Sequence, residues 1–469
     1  MVPYVPDSSR GPLRLAVLAD SDTRWKWGAL TARRIAPESS VHGYLLRGRA
    51  TPTARQLAET DTGVEEPEEI TAINFLRRIG DLQENNAESA AKSRDNAADD
   101  APYDALILAC VGGTVQAMLH GLARAWHGAP RRTVVVSGYV GVVYEKLTDG
   151  LLLRHGADIV LANSAFDAAR FREQFRGVRA DTSAVTECAL PFLAGQPYDA
   201  GAVERGDRPY RLVFAVQPSV PGTRKDRAYL LERAVEHARR HPEREVVLKL
   251  RSKPGEHTTH IEELPYQRLV ERIKGGTPAN FQLAYGNMGE VLDGTDLLVT
   301  VSSTAALESL HRGIPTAVLT DLGIREQHGN HYFLGSGCYA SWDELDGGLV
   351  PTPDPGWLAD QGLGRAPEEA FGPAHQRLAT LLEQADVDEG LPPLDPYYTV
   401  RTAPGYLPGV LARHGLDVKG EPLVGFQGGP DPTTGMRGAS KRLLRSTARG
   451  AYRAGVQRVA PLIRRWGQL

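Results

Sequence analysis

Residues 295–315 read TDLLVTVSSTAALESLHRGIP. The apolar run at 297–301 is typical of a strand that is buried on both faces of a parallel sheet. The hydroxyl residues that follow it open a predicted helix near 304–312, and Gly313 and Pro315 close that helix. A buried strand that runs directly into a helix is the unit from which an α/β domain is built.

The same alternation of apolar runs and helical patterns extends through both halves of the chain. Strands are predicted at 13–19, 41–46, 105–110, 133–137 and 158–162, and again at 211–216, 245–250, 281–285 and 316–320. Helices are predicted near 226–240 and 264–274. The predicted fold class is therefore α/β, with two Rossmann-like domains that face a central cleft and bind ligands at the carboxyl ends of their strands.

At 469 residues the chain is too long for one hydrophobic core. We expect an N-terminal domain over 1–195, a linker over 196–209, a C-terminal nucleotide-sugar-binding domain over 210–400 and an extension over 401–469. An insertion at about 51–102 interrupts the first domain. Apolar spacing over 70–79 predicts one amphipathic helix inside it, and the remaining polar sequence, rich in Ala, Asn and Asp, predicts a mobile segment.

The composition excludes several classes of protein. Hydrophobic residues make up 41% and charged residues 24% of the chain, which is ordinary for a globular protein. The three cysteines form no CxxC pair, so neither a disulfide framework nor a zinc site is predicted, and a reducing, cytoplasmic location is favoured. No apolar run approaches the about 18 residues of a membrane-spanning helix, and the first run is too short for a signal peptide.

The net charge of −3 is unevenly distributed. Nine Lys or Arg and no Asp or Glu fall in 436–469, so the rest of the chain is more acidic than the whole. An acidic body argues against nucleic-acid binding. In the tail, apolar residues recur every three or four positions beside Arg, which is typical of a helix on an anionic membrane surface, here the inner face of the membrane. Alternatively, the tail packs on the first domain or is disordered.

Hydroxyl residues mark one candidate ligand site. Ser302, Ser303 and Thr304 follow a buried strand, where free backbone N–H groups at a helix start favour a phosphate. The alternative is that one of these hydroxyls is a simple helix cap.

Basic residues mark a second strand end. Lys249, Arg251 and Lys253 alternate there, and cations near a strand end suit an anionic ligand, or they form an ordinary solvated strand end. The loop after the first strand of this half contains Gly222 and Thr223. Glycine permits a close backbone approach to a ligand, although a plain loop contains the same residue types.

The order of these elements resembles bacterial GT-B glycosyltransferases. The shared elements are a Pro/Gly loop, a basic strand end similar to K-x-H-P, and the pattern D-hydrophobic-S-S-x-x-x-x-E-x-x-x-x-G-x-P, with the specific match over about 245–335. The most similar groups are capsule and polysialic acid transferases, glycerophosphate polymerases of teichoic acids and uncharacterised actinobacterial glycosyltransferases. The resemblance implies a GT-B fold and a nucleotide-sugar donor.

The resemblance also assigns roles to individual residues. It places five of them at or beside the donor phosphate: Ser302, Ser303, Arg251, Lys253 and Pro254. The His that commonly precedes this Pro is missing, so Lys253 or His257 takes its place, or the donor differs.

Residues near the sugar and ribose are suggested in the same way. Glu308 resembles the acidic residue that holds the ribose in many GT-B enzymes, the alternative being a solvent-facing carboxylate. His328 and His331, with Arg325 and Glu326, lie in the loop after the last predicted strand and could address the sugar, unless these histidines are structural.

The acceptor and the base are expected in the first domain. An inverting displacement needs a base for the acceptor hydroxyl, and the candidates are Asp20 and Asp22 after the first strand, with Glu145 as a further choice. The two Asp could instead form an Asx-turn or helix cap. Their D-x-D spacing lies too early in the chain for a metal–nucleotide site, so neither a metal nor a cofactor is expected. Trp25 and Trp27 would offer flat faces to a sugar or pack in the core.

The sequence therefore predicts a metal-independent glycosyltransferase that moves a sugar from a nucleotide-activated donor to a glycan or cell-envelope acceptor. The alternatives are a polyol-phosphate transferase or a sugar-nucleotide epimerase of the same fold, and a non-catalytic protein that binds a sugar nucleotide.

Overall fold

Two α/β domains, each built on a parallel sheet, form the framework of the molecule. The computed structural model describes residues 12–48, 51–89, 101–142, 147–251, 253, 265–387 and 390–423, with the backbone alone over 84–89. Within these ranges, no helix combines the length and apolar character that crossing a bilayer requires. The tail at 436–469, for which a membrane-surface helix is predicted, lies outside the described residues.

The described residues of the first domain form seven strands: β1 Arg14–Ala19, β2 Ser40–Leu46, β3 Glu68–Ile70, β4 Ala105–Ala109, β5 Val134–Gly138, β6 Ile159–Ala162 and β7 Val185–Glu187. Their order in the sheet is β3-β2-β1-β4-β5-β6-β7, and all neighbours are parallel. The helices are α1 Asp22–Ile35, α2 Ala54–Ala58, α3 Ala72–Ser89, α4 Gly112–Ala125, α5 Leu147–Leu152 and α6 Ala165–Gly177, and α7 Gly201–Glu204 follows in the linker. The five strands predicted for this half are confirmed.

The predicted insertion contributes regular structure to this domain. Strand β3 extends the sheet beside β2, and α3 buries Phe75 and Ile79 against it. Thr53 and Gln56 form a capping box at the start of α2. The amphipathic helix predicted over 70–79 is confirmed by α3, whereas the prediction of a mobile segment is wrong where α2 and β3 form. The reason is that α2 and β3 are too short to show the periodicity by which a helix or strand is recognised in a sequence.

Helix α1 lies unusually close to the sheet. A Cβ atom on Gly28 would lie 2.5 Å from Val17 and 2.8 Å from Ala109, so glycine alone permits this approach. Trp25 and Trp27 are 2% and 1% exposed. Both are core residues, which settles their role in favour of packing, and they fix the rotation of the helix whose first turn lines the cleft.

In its described residues the second domain contains six strands: β8 Arg211–Ala215, β9 Glu245–Lys249, β10 Phe281–Ala284, β11 Leu297–Thr300, β12 Thr316–Leu319 and β13 Tyr339–Ala340. Their order is β10-β9-β8-β11-β12-β13, again all parallel. The helices in this half of the chain are α8 Arg224–Arg240, α9 Tyr266–Val270, α10 Met288–Leu292, α11 Ala305–His311, α12 Trp342–Asp346 and α13 Pro355–Asp360, followed by α14 Pro367–Ala385 and α15 Leu407–Ala412, which pack on the first domain. The five predicted strands are confirmed, and the predicted fold class, two Rossmann-like domains in the GT-B arrangement, is observed.

The linker between the domains is tied to the second sheet. Asp296 is fully buried directly before β11. Its carboxylate accepts hydrogen bonds from the backbone N–H of Arg211 at 2.8 Å and from the guanidinium of Arg208 at 2.8 Å. Charge-assisted bonds of this kind are stronger than neutral ones, so this carboxylate anchors the point at which the chain enters the second domain.

After the second sheet the chain returns to the first domain. Helix α14 packs on α1 and beside β7, and its Leu378 and Leu382 are buried in a core cluster that contains residues of both domains. Helix α15 packs on α4 and buries Leu407 and Leu411. The segment predicted as the end of the second domain and its extension therefore covers the first one, and the chain crosses between the domains twice.

Candidate active site

A cavity of about 630 Å³ lies between the two domains, at the carboxyl ends of both sheets. The first domain lines it with the start of α1, with α2 and with the loop after β5. The second domain lines it with the loops that follow β8 to β12. Small-molecule sites usually measure about 300–1,000 Å³, so the cavity has the size of a ligand site in the place where facing Rossmann-like sheets bind one.

The end of β9 brings a buried cation to this cavity. Lys249 is 7% exposed, and its ammonium donates a hydrogen bond to the Leu250 carbonyl at 2.9 Å. Burial lowers the pKa of Lys249 to about 8, while Glu59 and Glu308 oppose the shift. Because water solvates this ammonium poorly, its attraction for an anion in the cavity is stronger than that of a surface lysine.

Arg251, two residues further on, joins the two domains. Its Nη2 atom lies 3.4 Å from Asp22 Oδ1 and donates a hydrogen bond to the Thr23 hydroxyl. Asp22 and Thr23 belong to the first turn of α1, so a strand end of one domain contacts a helix start of the other. All three residues line the cavity.

Glu308 lies on α11 and is 9% exposed. Burial raises the pKa of Glu308 to about 7, and the positive charges of Lys26, Arg312 and Lys249 oppose the rise. The alternative of a solvent-facing carboxylate is excluded. The carboxyl lines the cavity, and its raised pKa favours the protonated form more than in an exposed glutamate.

The hydroxyl residues before α11 are partly engaged in the structure. The backbone N–H of Ser302 donates to Gln217 Oε1 at 3.0 Å, and the Ser302 hydroxyl bonds to the His328 carbonyl. The backbone N–H of Ser303 donates to the Thr300 hydroxyl at 3.1 Å. These bonds join the loops after β8, β11 and β12. Ser302, Ser303 and Thr304 all line the cavity, and their role at a phosphate stays a prediction.

The two domains approach each other closely at Gly141. A Cβ atom there would lie 3.3 Å from the Thr304 hydroxyl oxygen. The amide of Asn163 donates to the carbonyls of Tyr139 at 3.0 Å and Gly141 at 3.1 Å, which holds the loop after β5 in place. A glycine at this position therefore lets the first domain close over the loop before α11.

The structure separates the candidate bases. The Asp20 carboxylate accepts hydrogen bonds from Arg24 at 3.0 Å and from the backbone N–H of Val111 at 2.9 Å, and it does not belong to the cavity wall described above. Asp22 does line the cavity. Glu145 lies outside the described residues. The geometry thus favours Asp22 over Asp20 as a group that meets a ligand.

Of the remaining predicted donor-site residues, some line the cavity and others lie away from it. His328 lines the cavity, whereas Gly222 and Thr223 are exposed beyond it, and the Thr223 side chain caps α8. Lys253 is exposed, with its ammonium 5.8 Å from the ring centre of Tyr285. His331 lies outside the cavity wall, and its buried Nδ1 has no hydrogen-bond partner in the described part of the chain. Pro254 and His257 lie outside the described residues.

Sequence reasoning missed several residues of the cavity wall. Lys26 lies one helical turn after Asp22 on the same face of α1, a spacing that could have indicated it. Gln56 and Glu59 come from the segment that was interpreted as a mobile insertion. Gln217 and Asn287 follow β8 and β10, where a list of strand-end polar residues would have included them.

One group of side chains in the described residues has metal-ligand geometry, and it lies away from the cavity. His237 on α8 and His241, directly after the end of α8, face Asp346 at the end of α12, with His237 Nδ1 2.6 Å from the Asp346 carboxylate. Arg233 and Arg240 each pair with the same carboxylate at 3.0 Å. A cation would have to displace these guanidiniums, so the charges favour a structural contact between the two helices.

The chain is similar to several known proteins. Residues 15–379 match the family model described as "Putative glycosyltransferase (DUF6716)". A UDP-GlcNAc 2-epimerase from Methanocaldococcus jannaschii is 8% identical with a TM-score of 0.48 and covers 78% of this chain and 99% of its own. A UDP-glucosyltransferase from Polygonum tinctorium is 12% identical with a TM-score of 0.44 and covers 81% of this chain and 97% of its own. A comparison with curated proteins found no match.

Proposed function

We propose that this chain, which belongs to the family described as "Putative glycosyltransferase (DUF6716)", is a sugar transferase. It moves a sugar from a nucleotide-activated donor to a hydroxyl of a glycan or cell-envelope acceptor. The observation that carries the proposal is the cavity between the domains. Lys249 and Arg251 lie on its second-domain wall and the Asp22 carboxylate on its first-domain wall. One wall suits an anionic leaving group, and the other suits the removal of a proton.

The donor is assigned to the second domain. Its phosphate would lie beside Lys249 and Arg251, with the hydroxyls of Ser303 and Thr304 on the same wall. The buried Lys249 ammonium is a preorganised positive charge, and it gains in interaction as the leaving phosphate becomes more negative. By the resemblance to GT-B enzymes, Glu308 is assigned to the ribose. Within such a site the protein supplies position and charge, so no metal is required for the proposed reaction.

The acceptor enters from the first domain. Its hydroxyl oxygen attacks the anomeric carbon of the donor sugar while Asp22 takes the hydroxyl proton. The bond between the anomeric carbon and the phosphate oxygen breaks, and its electron pair leaves with the nucleotide phosphate. Attack on the face opposite the leaving group inverts the anomeric configuration. Asp22 is preferred to Asp20 for this step because only Asp22 lines the cavity.

A screen of nucleotides and nucleotide sugars tests the proposal. A nucleotide that binds the native chain raises its unfolding temperature, so CMP, CDP, UDP, GDP and dTDP are compared by thermal shift. The sugar nucleotide of the best binder is then incubated with the chain and bacterial envelope glycans. Transfer is detected by mass spectrometry, the anomeric configuration by NMR, and a parallel reaction contains EDTA.

The outcomes separate the candidate functions. Transfer with inversion, unaffected by EDTA, is expected. Conversion of the donor sugar without transfer would indicate an epimerase, and nucleotide binding without any turnover would indicate a non-catalytic binding protein. If no nucleotide raises the unfolding temperature, the donor site is wrongly assigned.

A further inference from the structure

The contact between Arg251 and Asp22 places two proposed functional groups in competition. The guanidinium is assigned to the donor phosphate and the carboxylate to the acceptor proton, yet they contact each other across the cavity at 3.4 Å. Both side chains are partly exposed, at 29% and 17%, so a ligand in the cavity reaches both. While the contact exists, the Asp22 carboxylate is engaged by the guanidinium and is not free to meet an acceptor hydroxyl.

We propose that Arg251 holds Asp22 until the phosphate of the donor takes its place, so that the base becomes available only after the nucleotide sugar has bound. The inference rests on the proposed function. One side-chain contact then determines the order of binding: the donor binds first and the acceptor binds second.

The geometry of the contact permits the exchange. Charge-assisted N–H···O bonds usually measure about 2.7–2.9 Å, and the Asp22 contact at 3.4 Å is longer and involves a single guanidinium nitrogen. A phosphate offers several oxygens to the planar guanidinium and binds it through two parallel bonds. Arg251 therefore gains in the donor phosphate a better partner than the Asp22 carboxylate that the phosphate displaces. The bond of the same nitrogen to the Thr23 hydroxyl is neutral on the acceptor side and does not compete for charge.

The charged side chains around the Arg251–Asp22 contact determine which variant is a suitable control for Asp22→Asn. Lys26 and Lys249 add positive charge to the cavity, and Glu59 and Glu308 add negative charge. Any loss of a carboxylate therefore favours an anionic ligand in general. Glu59 lines the same cavity, its carboxylate pairs with Arg55, and its charge acts on Lys249. Glu59→Gln thus removes one negative charge from the cavity without releasing the Arg251 guanidinium.

The test is the affinity of the full chain for the best-binding nucleotide of the screen, measured by calorimetry. Asp22→Asn is expected to lower Kd by about fivefold, equivalent to about 1 kcal/mol, because the guanidinium no longer has to leave a carboxylate. Glu59→Gln is expected to lower Kd by a smaller factor. In an Arg251→Ala background, Asp22→Asn is expected to increase the affinity for nucleotide by no more than Glu59→Gln does, because a double-mutant cycle then removes the effect of the Arg251–Asp22 contact. Circular dichroism confirms that each variant is folded.

Two results would overturn the inference. If Asp22→Asn binds nucleotide no more tightly than Glu59→Gln, or if its gain persists after Arg251→Ala, the contact does not compete with the donor, and the proposed function stands without it. If the wild-type chain binds none of the nucleotides, the inference and the proposed function fall together.

Discussion

The buried carboxyl of Glu308 should make the stability of this protein fall as the pH rises toward neutral. Burial raises the pKa of Glu308 from 4.5 to about 7 in the folded chain. Below pH 4.5 the group is neutral in both the folded and the unfolded chain. As the pH rises from about 4.5 to about 7, the unfolded chain releases this proton and the folded chain keeps it, so the free energy of unfolding decreases. Glu308→Gln keeps the shape of the side chain and removes the titration.

The size of the effect follows from the shift. At about 1.36 kcal/mol per pKa unit, a rise from 4.5 to about 7 amounts to on the order of 3 kcal/mol. For a domain of about 150–250 residues, 1 kcal/mol corresponds to roughly 2–4 °C in Tm. The Tm of the Glu308→Gln variant relative to the wild type should therefore increase by roughly 6–12 °C between acidic pH and pH 8, with most of the increase between pH 5 and 7.

Thermal unfolding of both chains across this pH range measures the difference, and other titrating groups cancel from it. Glu326→Gln is the matched control, because Glu326 lines the same cavity but is exposed; the change in the Glu308→Gln difference with pH should exceed that of the control. A Glu308→Gln difference that stays constant from pH 5 to pH 8 would refute the reasoning. It would mean that the carboxyl is solvated or fully paired in the folded chain.

Three further predictions follow from the cavity and the tail. Asp22→Asn should lower turnover by on the order of 100-fold, Asp20→Asn should lower it less, and EDTA should leave the wild-type rate unchanged; equal losses in both variants would contradict the assignment of the base. Gly141→Val should raise the donor Kd and slow turnover, because a Cβ atom at this position would lie 3.3 Å from the Thr304 hydroxyl oxygen. The effect of Gly141→Ala should be smaller, and adding Thr304→Ala to Gly141→Val should restore part of the activity. Unchanged kinetics in Gly141→Val would show that the domains need not approach each other at this position. The full chain should co-sediment with anionic but not neutral vesicles at low salt, and a chain that ends at Pro432 should not, since nine cations lie in 436–469; equal supernatant fractions would contradict the membrane-surface role of the tail.

Most of the strands that were predicted are continuously buried, whereas β2 and β10 are buried only in part. Residues 15–19 of β1 and all of β4 and β11 are buried, and such strands appear in the sequence as uninterrupted apolar runs. Strand β13 has two residues and β3 has three, so neither is long enough to show a pattern. Local sequence also does not reveal that α14 covers the first domain. The reason is that α14 packs on α1, β5, β6 and β7, which are distant from it in the chain.

Sequence reasoning found the site residues that lie at the end of a single strand, and it missed residues of one domain that act on a group in the other. Lys249, Arg251 and Glu308 follow or lie beside strands of the second domain and could be found from the sequence. Their electrostatic partners Lys26 and Glu59 come from the first domain, far away in the sequence. Burial lowers the pKa of Lys249 to about 8 and raises that of Glu308 to about 7, and charges from the first domain act on both groups. Because those charges belong to side chains that are far away in the sequence, neither pKa could be derived from the strand ends of the second domain alone.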